Sequence, residues 1–137
     1  MHGEYAFHDV GAIGAQRVYR VEVGIYLVRL AGYLSRPDVD AIGELITRDN
    51  KSMRRAVLYE VSADFNGYDP ELRRTTLNNP TLRGTTHIGI ITSNTMLRMV
   101  TATLALGLRA AMGIPMKTYA TVAAAVAGAR EAMQPPT

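Results

Sequence analysis

The segment from Thr86 to Met112, THIGIITSNTMLRMVTATLALGLRAAM, constrains the fold more than any other. Ile88, Ile90 and Ile91 make a short, β-branched apolar run, as expected of a strand inside a sheet that is covered on both faces. Thr92-Ser93-Asn94 breaks the run and offers side-chain oxygens where a helix needs an N-cap. Beyond it, Met96, Val100, Thr103, Gly107 and Ala111 share one stripe at the helical period, flanked by Leu97, Leu104 and Leu108, with Arg98, Ala105 and Arg109 opposite. A strand, a polar turn and a long helix with a wide apolar arc follow one another without interruption. The small residues Thr103, Gly107 and Ala111 let that helix lie close to a sheet. The chain is therefore expected to be an α/β protein organised around this unit.

Composition narrows the function classes. At 137 residues the chain fits one domain with its own core. It has no cysteine, which excludes disulfides, thiolate metal sites and a cysteine nucleophile. The net charge of +3 is scattered and not gathered into a basic run with aromatics, so no nucleic-acid partner is expected. The apolar helix is shorter than the ~20 residues of a membrane span and carries two arginines. The opening MHGEYAFHDVGAIGAQ lacks the basic segment and apolar core of a secretory signal, and a cytoplasmic protein is expected. His2, His8 and His87 have no metal-ligand spacing, and there is no Gly-x-Ser-x-Gly, phosphate loop or dinucleotide fingerprint. No catalytic residue, metal or other cofactor is expected.

Taken in order, residues 1–16 hold glycines without a period and read as a loose leader. Val18–Val23 alternates as a half-exposed strand, Gly24 marks a turn, and Ile25–Leu30 is a second, more apolar strand, giving an antiparallel hairpin. Ser35, Pro37 and Asp38 start a helix in which Val39, Ile42, Leu45 and Ile46 repeat at helical spacing to about Asp49. DNKSMRR, Asp49–Arg55, reads as a polar exposed loop, Ala56–Val61 as a third strand, and Ser62–Pro70 as a loop rich in Asp, Asn and Gly. Asp69-Pro70-Glu71 opens a helix to about Leu77. After the long helix and the stop Gly113-Ile114-Pro115, Met116–Tyr119 is a short edge strand. Thr121 caps a last helix with Val122, Val126, Ala129 and Met133 inward, and 134–137 is a tail. The order β-β-α-β-α-β-α-β-α implies a mainly parallel sheet with an antiparallel strand added at one edge. Pattern alone leaves open whether helices cover one face or both.

The order, the length and several phrases resemble the STAS domain, the fold of sulfate-transporter tails and anti-sigma-factor antagonists. The closer likeness is to bacterial STAS-like proteins grouped with CRAL-TRIO-type lipid-binding domains. The residues that carry it are Val28–Gly32 (VRLAG), Ala56–Val61, Thr92-Ser93-Asn94 with Met96–Val100, and Met116–Thr121, so the resemblance spans about 17–133. It implies a non-enzymatic regulatory module that binds a protein partner. Anti-sigma antagonists are switched by phosphorylation of a serine in an Asp-Ser-Ser-Gly type motif after the third strand. The matching loop here, Asp64-Phe65-Asn66-Gly67-Tyr68-Asp69-Pro70, holds no Ser or Thr, so that switch does not carry over.

Two groups of residues are candidate sites. Asp64, Phe65, Asn66, Tyr68, Asp69 and Arg73 stand at the carboxyl end of an inner strand, where α/β ligand sites gather, and form the expected partner surface. The same Asp, Asn and Gly residues equally serve as turn formers and caps. Ser93, Asn94 and Arg98 stand at a helix start that could hold an anion, or could simply cap it. Phe65, Tyr68 and Tyr33 are interface anchors if exposed and core lids if buried. A receiver-type site at Asp64, Thr92 and Lys117 lacks the acidic pair needed for magnesium, because Leu30-Ala31-Gly32-Tyr33 stands in its place. Met96, Met99, Met112 and Met116 allow the alternative of a small apolar or lipid-like ligand between the long helix and the sheet. The wide arc of that helix also permits a homodimer.

Overall fold

A computed structural model describes residues 7–50, 54–69, 85–92 and 115–134. Its elements are β1 (His8–Ile13), β2 (Gln16–Glu22), β3 (Ile25–Leu34), α1 (Arg36–Asp49), β4 (Arg55–Tyr68), β5 (Thr85–Ile91), β6 (Met116–Tyr119) and α2 (Val122–Met133). The strands form one sheet in chain order, β1-β2-β3-β4-β5-β6. β1, β2 and β3 pair antiparallel, and β3 to β6 run parallel. The mainly parallel sheet with an antiparallel edge is as expected, but that edge has one more strand than the sequence suggested.

The extra strand is β1. Residues 8–13 were expected in the leader and instead pair with β2 through the Gly14-Ala15 turn, where Gly14 has φ +59°. HDVGAI has no clean alternation because the strand is bulged: Asp9 faces Tyr19, Gly11 faces Val18, and Val10 is extra. Val10 and Ile13 still pack into the core, and at Gly11 a Cβ would lie 3.0 Å from Leu45 of α1. Glycine here allows the helix to approach the edge strand. At the other hairpin Gly24, φ +84°, makes the turn as expected, although β2 ends at Glu22 and β3 runs on to Leu34.

Strand alternation divides the core into two layers. Val18, Tyr26, Val28, Leu30, Leu34 and Val57 pack against Ile42 and Ile46 of α1. Ile25, Leu27, Ala56, Leu58 and Ile91 pack against Val122, Ala125, Val126 and Ala129 of α2. The two described helices therefore lie on opposite faces. Full burial of each Leu, Ile or Val contributes roughly 1.5–3 kcal/mol. β5, the strand of the opening segment, is an interior strand second from one edge. The central pair is β3 and β4.

Helix starts follow the local signals closely. Ser35 Oγ accepts from the Asp38 N–H at 3.3 Å and Asp38 reaches back to the Ser35 N–H at 3.4 Å, a reciprocal capping box. Thr121 Oγ1 accepts from the Ala124 N–H at 3.1 Å. Replacing Ser35 with alanine should lower stability by about 1 kcal/mol, measured by urea unfolding, because the N-terminal donor then loses its partner. The segment expected to be an exposed loop, Asp49–Arg55, differs at its described ends, while residues 51–53 lie outside the described residues. Asp49 is the last residue of α1, Asn50 caps it and is buried, and Arg55 is buried at the start of β4. Burial lowers the pKa of the Arg55 guanidinium. Among the described residues, no helix is long and apolar enough to cross a membrane.

Candidate partner-binding surface

The stretch Ser62–Tyr68, expected as a loop, is the second half of a 14-residue strand. β5 accompanies β4 only from Arg55 to Glu60, whereas β3 follows it to Tyr68. A ribbon of two parallel strands therefore continues past the sheet at its carboxyl end, the end where α/β folds place their sites.

The ribbon is irregular in a specific way. Leu30 faces Val61 and Gly32 faces Phe65, so β3 advances two residues while β4 advances four. Tyr33 then faces Gly67, one residue against two. These two bulges place Ala63, Asp64 and Asn66 in solvent. Two glycines at positive φ permit the path, Gly32 at +61° and Gly67 at +146°. A Cβ at Gly67 would lie 3.6 Å from the Tyr33 ring, so the aromatic rests on the glycine backbone.

Side chains hold the bulges in place. Gln16, fully buried where β2 begins, donates from Nε2 to the Tyr33 carbonyl at 3.2 Å and accepts from the Ala31 N–H at 2.8 Å. Its amide serves this part of β3 as a neighbouring strand would. Ser62 Oγ lies 2.7 Å from the Leu30 carbonyl and also contacts the Asp64 carboxylate. One rung earlier Arg29 Nε donates to Glu60 at 3.0 Å. The Asp69 N–H closes the ribbon on the Leu34 carbonyl at 2.9 Å.

The structure separates the expected partner residues into two kinds. Asp64 and Asn66 are exposed. Phe65 and Tyr68 are partly buried against the α1-side core, so they act as core lids. Tyr33 is the exposed aromatic of the three, with 52% of its surface accessible. Ser62, Gly67 and Gln16 were not among the expected site residues. The glycine in an otherwise polar run was the available signal for Gly67, and nothing local marked Gln16. Arg73, Ser93, Asn94 and Arg98 lie outside the described residues, as do the helix expected over 70–77, the long helix with Met96, Met99 and Met112, and the apolar pocket expected beneath it. Met116 is partly buried at the start of β6.

A six-stranded mixed sheet with the two described helices on opposite faces is consistent with a SpoIIAA-like fold. One solved structure with a similar fold is the crystal structure of an uncharacterized protein from the DUF3478 family with a SpoIIAA-like fold from Shewanella loihica PV-4. It aligns over 90% of this chain and 95% of its own with a TM-score of 0.61 and 11% identity, a likeness of fold. No protein-family model and no curated protein sequence matches the chain.

Proposed function

We propose that the domain is a non-enzymatic STAS-like regulatory module that binds a protein partner through the β3–β4 ribbon. Asp64 and Asn66 supply polar contacts, Tyr33 is the aromatic anchor, and Phe65, Tyr68 and Asp69 fix the shape of the surface. The observation that carries this reading is the double bulge, which turns polar side chains outward beside a half-exposed tyrosine. Exposed aromatics framed by polar groups are favoured as anchors of protein contacts. Ser62 stands at this end without an imidazole from the described histidines, since His8 is on β1 and His87 near the start of β5. The reading accordingly gives the ribbon a binding role and no catalytic residue.

The test is site-directed photo-crosslinking in the native host with the probe at positions 33, 64 and 66, and at Glu44 on the exposed side of α1 as control. The three ribbon positions should capture one common protein that position 44 does not. Asp64→Lys should weaken binding of that protein at least tenfold with an unchanged unfolding midpoint. Equal capture at position 44, or unchanged binding by the lysine variant, would refute the assignment. A small apolar molecule retained by the purified protein in native mass spectrometry would move the function to the alternative ligand-binding reading.

A further inference from the structure

His87 is 2% exposed on β5, on the face that α2 covers. Its Nε2 lies 2.9 Å from the Tyr119 hydroxyl on β6, and their rings are 6.0 Å apart. The Tyr119 ring in turn sits between two glycines. A Cβ at Gly128 of α2 would lie 2.8 Å from Tyr119 Cζ, and one at Gly89 of β5 would lie 3.0 Å from Cε2. Histidine, tyrosine and helix glycine thus form a continuous packed line from the sheet to α2.

We propose that this line is a proton-sensitive latch: neutral His87 holds Tyr119 in the Gly128 notch, and protonation of His87 releases α2 and β6 from the sheet. An imidazolium has two N–H donors, and the described residues offer it one partner, itself a hydroxyl that must also place its own hydrogen. Among the described residues, the charged groups nearby do not hold the cation. Lys117 on β6 repels it, Glu131 on α2 acts on Tyr119, and Arg130 on α2 is paired with Glu22 of β2 at 2.7 Å. On β4 the neighbouring residue Ala56 carries no charge.

Burial first, and the Lys117 charge second, lower the pKa of His87 below its ordinary value. The sign follows. Between that lowered pKa and about 6.5 the opened state binds more protons than the closed one. The latch is complete above about pH 6.5 and weakens as pH falls through that value. Opening should be local. α2 is attached through small side chains, Val122, Ala125, Val126 and Ala129, and β6 is a four-residue edge strand, whereas β3 and β4 are the buried centre.

Hydrogen exchange at pH 7.5 and 5.5, corrected for intrinsic rates, tests the latch. Protection of the α2 amides should fall several-fold, up to roughly tenfold for one proton over this range, while Leu27, Val28 and Leu58 keep theirs. His87→Gln should remove the difference. If that variant does not fold, titration of the assigned His87 ring protons in the natural protein decides: a midpoint below 6.5, with the Val126 methyls shifting in step, supports the latch. A midpoint at or above 6.5, or equal loss of protection in α2 and in β3–β4, overturns it.

Discussion

Gly128→Ala should destabilise the domain by about 1–2 kcal/mol, even though alanine is the better helix former by roughly 1 kcal/mol. The two effects compete at one atom. The added methyl would lie 2.8 Å from Tyr119 Cζ and 3.0 Å from Cε1. The ring cannot retreat, because its opposite edge lies against Gly89 and its hydroxyl is bound to His87. Overpacking of this kind usually costs 1–3 kcal/mol, more than the propensity gain. The decisive measurement is the same substitution in a Tyr119→Ala background. With the ring gone, the helix propensity acts alone and Gly128→Ala should become stabilising by up to about 1 kcal/mol in urea unfolding. A stabilising Gly128→Ala in the natural sequence would show that Tyr119 does not pack against α2.

Asp49→Ala should lower stability by about 2–3 kcal/mol. Asp49 is the last residue of α1, where the helix dipole disfavours a carboxylate, so its presence needs a tertiary reason. That reason is a three-residue cluster joining α1 to β2 and β3. The Tyr26 hydroxyl, on a fully buried side chain, donates to Asp49 Oδ2 at 2.5 Å, and Arg20 Nη1 donates to Oδ1 and Oδ2 at 2.9 and 2.8 Å. Removing the carboxylate leaves the Tyr26 hydroxyl without this acceptor, and an orphaned buried hydroxyl costs about 1–3 kcal/mol. Burial, followed by the hydrogen bond and charge of Asp49, raises the Tyr26 pKa, so the phenol stays protonated and remains a donor.

Burial alone would raise the Asp49 pKa, but the hydrogen bonds from Tyr26 and Arg20 and the Arg20 charge outweigh it, and the net shift is downward. A lowered carboxylate pKa stabilises the folded state above the unfolded value of about 3.9, and that contribution is lost as pH falls through the folded pKa. The stability gap between the natural protein and Asp49→Ala should therefore stay constant from neutral pH to about 5 and narrow below about 4. Tyr26→Phe should recover about 1–3 kcal/mol in the Asp49→Ala background, because the orphaned hydroxyl is then gone.

Local signals made part of this architecture legible. Ser35 and Asp38 at a fixed spacing before an apolar period mark α1, Thr121 before Val122 marks α2, the apolar runs at 56–61 and 88–91 mark β4 and β5, and the short stretch 116–119 after the Gly113-Ile114-Pro115 stop marks β6. The same logic failed at SADFNGY. Asp, Asn and Gly are turn formers when only neighbours in sequence are considered, yet here they continue a strand. What keeps them extended comes from far along the chain: the β3 backbone, bent at Gly32, and the buried Gln16 amide, 17 residues from the Tyr33 carbonyl it binds. The candidate surface followed the same division. Asp64 and Asn66 could be nominated from their position after an apolar strand, but whether Phe65, Tyr68 or Tyr33 would be the exposed aromatic depended on the bulges.

The sequence by itself determined where the capped helices begin, where the apolar strands lie and that the sheet is mainly parallel, because capping and alternation act over a few residues. Tertiary structure alone decided that residues 8–13 join the sheet, that β4 runs on to Tyr68, that α1 and α2 take opposite faces and that Asp49 belongs at a helix end. Each of those outcomes depends on backbone pairs or buried hydrogen bonds between distant segments, which exist only once the chain has brought them together.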